Sequence, residues 1–250
     1  NHRPDGMQQL VRSLCLPDAT GAVKPVVNTV CLTEYDRDFG LPVAFASVPA
    51  ANVLTDVLTS YRIPSVKISQ SERFPHVTFF FNGGETQASN EQHILVPTPR
   101  SETAELQPES QSFKITDRFL RSAESTTGAV FVVNLPAADL AAETGKLDKT
   151  IDAVQYVDTC IGGIVKYVRG AGGVAIVTSS HGNCEVMTYG NNGDPNSMTT
   201  ANPVPFHLIG DIQGIRLRPD GNLADVAPTM LSILGIERPG EMTGRDLQMI

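Results

Sequence analysis

Three side chains open the chemical reading of this chain. Asp139 and Glu143 stand four residues apart, and His181 follows a β-branched run at 174–178 almost directly. Two carboxylates and an imidazole make a hard, anionic donor set for one divalent cation, Mg²⁺ or Mn²⁺, with water completing six-fold coordination. The same residues also read as ordinary turn chemistry, with Glu143 solvated in a loop and His181 capping a turn through backbone hydrogen bonds. Spacing alone favours this second reading, because short motif matches recur by chance.

The elements that must position these groups follow from periodicity. Short β-branched and aromatic runs predict strands over Val26–Cys31, Ser65–Ile68, Val77–Phe81, Ala129–Asn134, Val174–Thr178 and Phe206–Ile209. Between them, Leu147, Ile151, Val154, Val157, Ile161, Ile164 and Val168 recur at steps of three and four and predict a long amphipathic helix. Lys166 and Arg169 suit its last turn, and Gly170 is its expected stop. Val53, Leu54, Val57, Leu58 and Tyr61 predict a second helix. Val226, Met230, Leu231 and Leu234 predict a third, ended by Gly235. Alternating strands and helices imply an α/β fold whose mostly parallel sheet is covered on both faces. Ligands of such sheets sit beyond the carboxyl ends of the strands. That rule directs attention to Asn82-Gly83-Gly84, to residues 134–145 and to residues 179–183, with Asn82, Asp139 and His181 expected near one edge.

Composition narrows the class. The 250 residues are 41% hydrophobic and 18% charged, with 21 Gly and 17 Pro, which excludes disordered, collagen-like and coiled-coil chains. Mean hydropathy is -0.07 and the longest apolar runs are of strand length, so no transmembrane helix is expected. A net charge of -8 argues against a non-specific grip on nucleic acid or on an anionic membrane. Cys15, Cys31, Cys160 and Cys184 are scattered, which points to an intracellular reducing compartment, the cytoplasm or an organelle. The chain opens at Asn1 in a polar stretch, so an upstream segment, cleaved or carried elsewhere, is expected.

A longer string changes the balance between the two readings of the carboxylates. Phe74-Pro75-His76-Val77-Thr78-Phe79-Phe80-Phe81-Asn82-Gly83-Gly84 closely resembles the signature of the cofactor-independent phosphoglycerate mutases. Similar segments follow in order: Thr33–Asp36, Leu41–Phe45, His181-Gly182-Asn183 with Glu185 and Met187, Asn202–Phe206, Asp225–Thr229 and Glu241–Gly244. The resemblance implies an alkaline-phosphatase-like three-layer sandwich and a two-metal site, usually manganese. It also implies a transiently phosphorylated serine and an isomerase activity of glycolysis. Residues 1–45 would be the tail of the family's inserted substrate-binding domain, and 46–250 the C-terminal part of its phosphatase-like domain. The serine and the rest of the inserted domain would lie upstream of Asn1.

Carried over position by position, the resemblance implies a degraded site. The family segment D-M-V-G-H-T-G reads Asp139-Leu140-Ala141-Ala142-Glu143-Thr144-Gly145, so the Asp is kept and Glu143 replaces the His. The segment A-D-H-G-N reads Ser179-Ser180-His181-Gly182-Asn183, so Ser180 replaces the Asp and His181 is kept. In A-H-T-T-N-P-V-P, Thr199 stands in the place of the His. Of the substrate contacts, Arg3 survives while Gly6 replaces the second arginine of R-x-D-R; Arg73 replaces a lysine, and His76 is kept.

A two-metal phosphoryl-transfer site needs dications held about 4 Å apart by carboxylates and imidazoles. Neutral Ser180 and Thr199 are poor substitutes, which leaves at most a single Mg²⁺ or Mn²⁺ on Asp139, Glu143 and His181. Without the pair, the nucleophile lacks its activator and the phosphoryl charge its stabiliser. The expected function is that of a catalytically inactive mutase homologue kept as a structural or assembly subunit with a protein partner. Two alternatives stand beside it. One is an active enzyme, interconverting 3- and 2-phosphoglycerate once completed by an upstream segment. The other is a phospho-ligand sensor in which Arg3, Arg73 and His76 hold an anion.

Overall fold

The computed structural model describes residues 4–15, 28–46, 48, 50–85, 88–98, 108–190, 193–212 and 214–249. Two compact units divide the chain, at 1–49 and 50–250. In the first, helix α1 (Pro4–Cys15) contributes Val11 to a small core with Cys31, Tyr35 and Phe39. Of the strand expected over Val26–Cys31, residues 28–31 are described, and Cys31 makes only an isolated parallel bridge to Val43. Cys31 N donates to Pro42 O at 2.8 Å, but Pro42 has no N–H with which to extend a ladder.

The second unit runs α2 (Leu54–Ser60), β1 (Ser65–Gln70), α3 (Phe74–Val77), β2 (Glu91–Val96), α4 (Pro108–Ser125), β3 (Val130–Val133), α5 (Ala137–Ala142), α6 (Leu147–Gly170) and β4 (Ala175–Thr178). It continues with β5 (Thr188–Tyr189), β6 (Asp194–Pro195), β7 (Phe206–Ile209), β8 (Arg216–Leu217), α7 (Val226–Ile233) and β9 (Gln248–Met249). Strands β2, β1 and β3 form a parallel sheet in that order, with Ser65 opposite both Glu91 and Val130. The central strand β1 is buried along its whole length.

Alternation along the strands sorts two cores onto opposite faces of this sheet. Val66, Ile68, Phe131 and Val133 pack with Ile115 and Phe119 of α4 and with Ile164, Tyr167 and Val168 of α6. Val130 and Val132 pack with Leu54, Val57 and Leu58 of α2 and with Leu231 of α7. The result is three layers, helix on sheet on helix. The expected mostly parallel pairing holds for β2, β1 and β3, while β4 pairs antiparallel with β7.

Two other expectations are corrected. Residues 77–81 are not a strand: α3 ends at Val77 and turns follow. Thr78 Oγ1 donates to Phe74 O at 2.9 Å and Asn82 N donates to Thr78 O at 2.8 Å, both helix-like reaches. The Phe79 and Phe80 rings meet at 5.3 Å, whereas neighbours on a strand point to opposite faces. The segment closes at Gly83, whose φ of +67° and position 2.9 Å (as an added Cβ) from Ala50 Cβ admit no side chain. The long helix runs through Gly170 and stops when Gly172 takes a φ of +72°. Its buried positions are Thr150, Ala153 and Cys160, while Leu147, Ile151 and Val154 of the apolar stripe are 54%, 49% and 43% exposed.

Between α2 and β1 lies a buried ionic group. Lys67 Nζ lies 3.2 Å from Glu91 Oε1 and 3.6 Å above the centre of the Phe81 ring. Asn82 Nδ2 donates to Glu91 Oε2 at 3.0 Å, and Thr55 Oγ1 donates to Asn82 Oδ1 at 2.8 Å. Burial pulls the Lys67 ammonium down to about 8, against the opposing pull of Glu91.

Candidate functional site

The carboxyl ends of three strands each deliver part of one cluster. After β1, a single 3-10 turn (Ser71–Arg73) presents Arg73. After β3, Pro136 precedes α5, whose first turn carries Asp139 and whose end is Glu143. The spacing of four turns both carboxylates to one side of this short helix. After β4, two residues, Ser179 and Ser180, lead to His181, with Asn183 beyond it.

Arg73 is the hub. Its Nη2 donates to Glu143 Oε1 at 2.6 Å and to Asp139 Oδ2 at 3.2 Å. The other oxygen, Asp139 Oδ1, accepts from Asn183 Nδ2 at 3.3 Å and lies 3.9 Å from His181 Nε2. His181 Nδ1 is 3.1 Å from Gly182 O, so its other ring nitrogen faces the aspartate. The three residues expected as a metal set are therefore brought together, with a guanidinium among them. Two buried polar atoms here, Arg73 Nε and Asn183 Oδ1, have no hydrogen-bond partner among the described residues.

The remaining expected positions fall differently. Ser180 and Thr199 are exposed. His76 is half-buried on α3, its ring 5.5 Å from that of Phe80. Arg3 lies outside the described residues. Asn82 is not at the carboxyl edge; its partner Glu91 is the first residue of β2, so it braces the opposite end of the sheet.

A neighbouring carboxylate, not foreseen as a structural group, organises the loop after His181. Glu185 accepts from Asn183 N at 2.7 Å, from Asn202 Nδ2 at 3.0 Å and from Thr200 Oγ1. The Thr200 hydroxyl first, then the backbone and Asn202 donors, hold its carboxyl down at about 2. Gly182 makes room for this: a Cβ there would strike the Glu185 carboxylate and the Thr200 hydroxyl. Burial first, then the charges of Asp139 and Glu185, raise the Cys184 thiol above the ordinary range, which disfavours the thiolate.

The donor set does not suit a pair of dications. Asp139 and Glu143 spend lone pairs on Arg73, and the hydroxyls at 180 and 199 carry no charge. No group of three or more His, Cys, Asp or Glu side chains among the described residues has a metal-holding arrangement.

Comparisons with known proteins place this geometry in context. Residues 44–238 match the Metalloenzyme superfamily. A 2,3-bisphosphoglycerate-independent phosphoglycerate mutase of Methanosarcina acetivorans is 38% identical over 99% of this chain and 48% of its own length. A counterpart of Shewanella oneidensis is 39% identical over the same shares. Among solved structures, a phosphoglycerate mutase of Leishmania mexicana, crystallised at low cobalt concentration, superposes with a TM-score of 0.84 at 26% identity. The superposition covers 97% of this chain and 48% of that one. The fold is thus alkaline-phosphatase-like, and the chain spans about half the length of the relatives it matches. No helix among the described residues is long and apolar enough to cross a membrane.

Proposed function

The chain belongs to the Metalloenzyme superfamily, and on that premise we propose that it is a phosphoglycerate mutase-like protein without catalysis, kept as a structural or assembly subunit. The observation that carries this reading is the ion pairing of Arg73 with Asp139 and Glu143 where phosphoryl-transfer chemistry requires free anionic ligands. Ser180 and Thr199 add to it, because neutral hydroxyls cannot stabilise two adjacent dications. A partner surface is consistent with the exposed Leu147, Ile151 and Val154 of α6 and with the outer edges of β3 and β4, which have no strand neighbour among the described residues. The charge of -8 favours a protein partner over nucleic acid. An intracellular reducing compartment suits the free thiols among the described residues, Cys15, Cys31, Cys160 and Cys184.

The second reading, an enzyme active when completed, is favoured by the names of the relatives and by the retention of Asp139 and His181. A coupled assay of 3-phosphoglycerate to 2-phosphoglycerate conversion, with manganese, separates the two. The natural chain and its Glu143→His/Ser180→Asp/Thr199→His variant are each mixed with the N-terminal half of the Shewanella oneidensis relative. The proposal expects no turnover from the natural chain and measurable turnover from the variant. Turnover by the natural chain refutes it.

A further inference from the structure

We propose that Arg73 is the resident cation of this site, its guanidinium holding Asp139 and Glu143 together in the place a divalent metal would take. The inference rests on the reading of the site as metal-free and concerns what replaces the metal. One nitrogen, Nη2, bridges the two carboxylates at 3.2 Å and 2.6 Å, joining residues 66 and 70 positions away along the chain. Asp139 and Glu143 stand one helical turn apart, where like charges repel unless a cation lies between them. Arg73 is partly sheltered, with 21% of its side chain exposed, so solvent does not fully screen that role.

A guanidinium and a dication compete for the same oxygen lone pairs. Mg²⁺ or Mn²⁺ must bind carboxylate oxygens at roughly 2.1 Å, close to the oxygens Arg73 already occupies. To enter, the ion must displace the arginine from both carboxylates or settle beside a fixed positive charge. Arginine keeps that charge at every working pH, so the block does not lift with pH, as it would for a lysine of lowered pKa. The guanidinium also lacks a metal's Lewis acidity, so it preserves the local architecture while supplying no activation of a nucleophile.

The test is thermal unfolding of the purified protein with excess EDTA or with added MnCl₂, comparing the natural chain, Arg73→Gln, Glu143→Gln and the double variant. The natural chain is expected to unfold at the same temperature in both media. Arg73→Gln is expected to lower Tm by about 2–4 °C in EDTA, the shift of a kcal/mol-scale loss in a domain of this size. Its Tm should then rise saturably with MnCl₂, as the uncovered carboxylates accept the ion. The double variant should recover part of the loss in EDTA, because one of the two repelling charges is gone. Equal stabilisation of the natural chain and Arg73→Gln by MnCl₂ would overturn the proposal, as would an Arg73→Gln cost indifferent to the charge at 143. If Arg73→Gln fails to fold, a folded double variant supports the proposal and an unfolded one counts against it. Mutase turnover is not among these readouts, so failure here is distinguishable from failure of the non-catalytic reading.

Discussion

Lys67 Nζ and Glu91 Oε1 lie 3.2 Å apart with neither side chain exposed to solvent, directly beneath the segment that most resembles the mutase signature. Burying two charges is costly, and their attraction with added hydrogen bonds offsets it only while both are present. Asn82 and His93 complete the coordination of the carboxylate, at 3.0 Å and 2.9 Å. Lys67→Met is therefore expected to destabilise the fold by about 3–5 kcal/mol, because Glu91 is left buried without its cation. Lys67→Met/Glu91→Leu should recover a substantial part of that loss. Urea unfolding of the three proteins checks this, and a double variant no better than the single would contradict it.

Glu185 yields a pH dependence of defined sign. Its carboxyl titrates near 2 in the folded chain, against an ordinary value of 4.5. The unfolded chain thus takes up a proton between about 4.5 and 2 that the folded chain does not, and stability falls as pH drops through that window. The stabilising contribution is fully present above pH about 4.5. Glu185→Gln should be less stable than the natural chain at pH 7, and the difference should shrink toward pH 2. Denaturant unfolding across this range measures it, and a constant difference would show that Glu185 is not held ionised by the loop.

The stripe of Leu147, Ile151 and Val154 on α6 sets an expectation for association. A contiguous apolar helix face in water is a site for self-contact or partner contact. The purified protein should elute above its 26.8 kDa mass by light scattering, and Ile151→Lys/Val154→Glu should shift it toward the monomer. A natural chain that is monomeric and unaffected by the substitutions would remove support for the assembly role.

Much of this architecture is legible from residue pattern. The strands at 65–70, 130–133, 175–178 and 206–209 and the helices at 54–60, 147–170 and 226–233 follow from apolar periodicity. The segment Val77–Phe81 misleads because three adjacent phenylalanines satisfy strand propensity while Pro75 and the Thr78 hydroxyl set a helical turn. Strand β2 escapes notice because Glu91, Gln92 and His93 dilute its apolar half. The stripe on α6 is real, but only its C-terminal part, with Ile164 and Val168, packs on the sheet while Leu147, Ile151 and Val154 face outward, since periodicity identifies an apolar face without stating what covers it. At the site, Asp139, Glu143 and His181 are visible in the sequence as candidates. That Arg73 pairs with the carboxylates is not, because the contact depends on two crossover connections returning β1 and β3 side by side. Asn183, two residues past His181, was the nearest available signal for the group that orients Asp139.

The central claim, that this superfamily member has exchanged its dications for an arginine, is tested most directly by its metal content. The protein is expressed in manganese-supplemented medium, purified without chelator and analysed for metals by elemental mass spectrometry against protein concentration. The account predicts well under one manganese, magnesium, cobalt or zinc ion per chain. One or two stoichiometric metal ions per chain would contradict it.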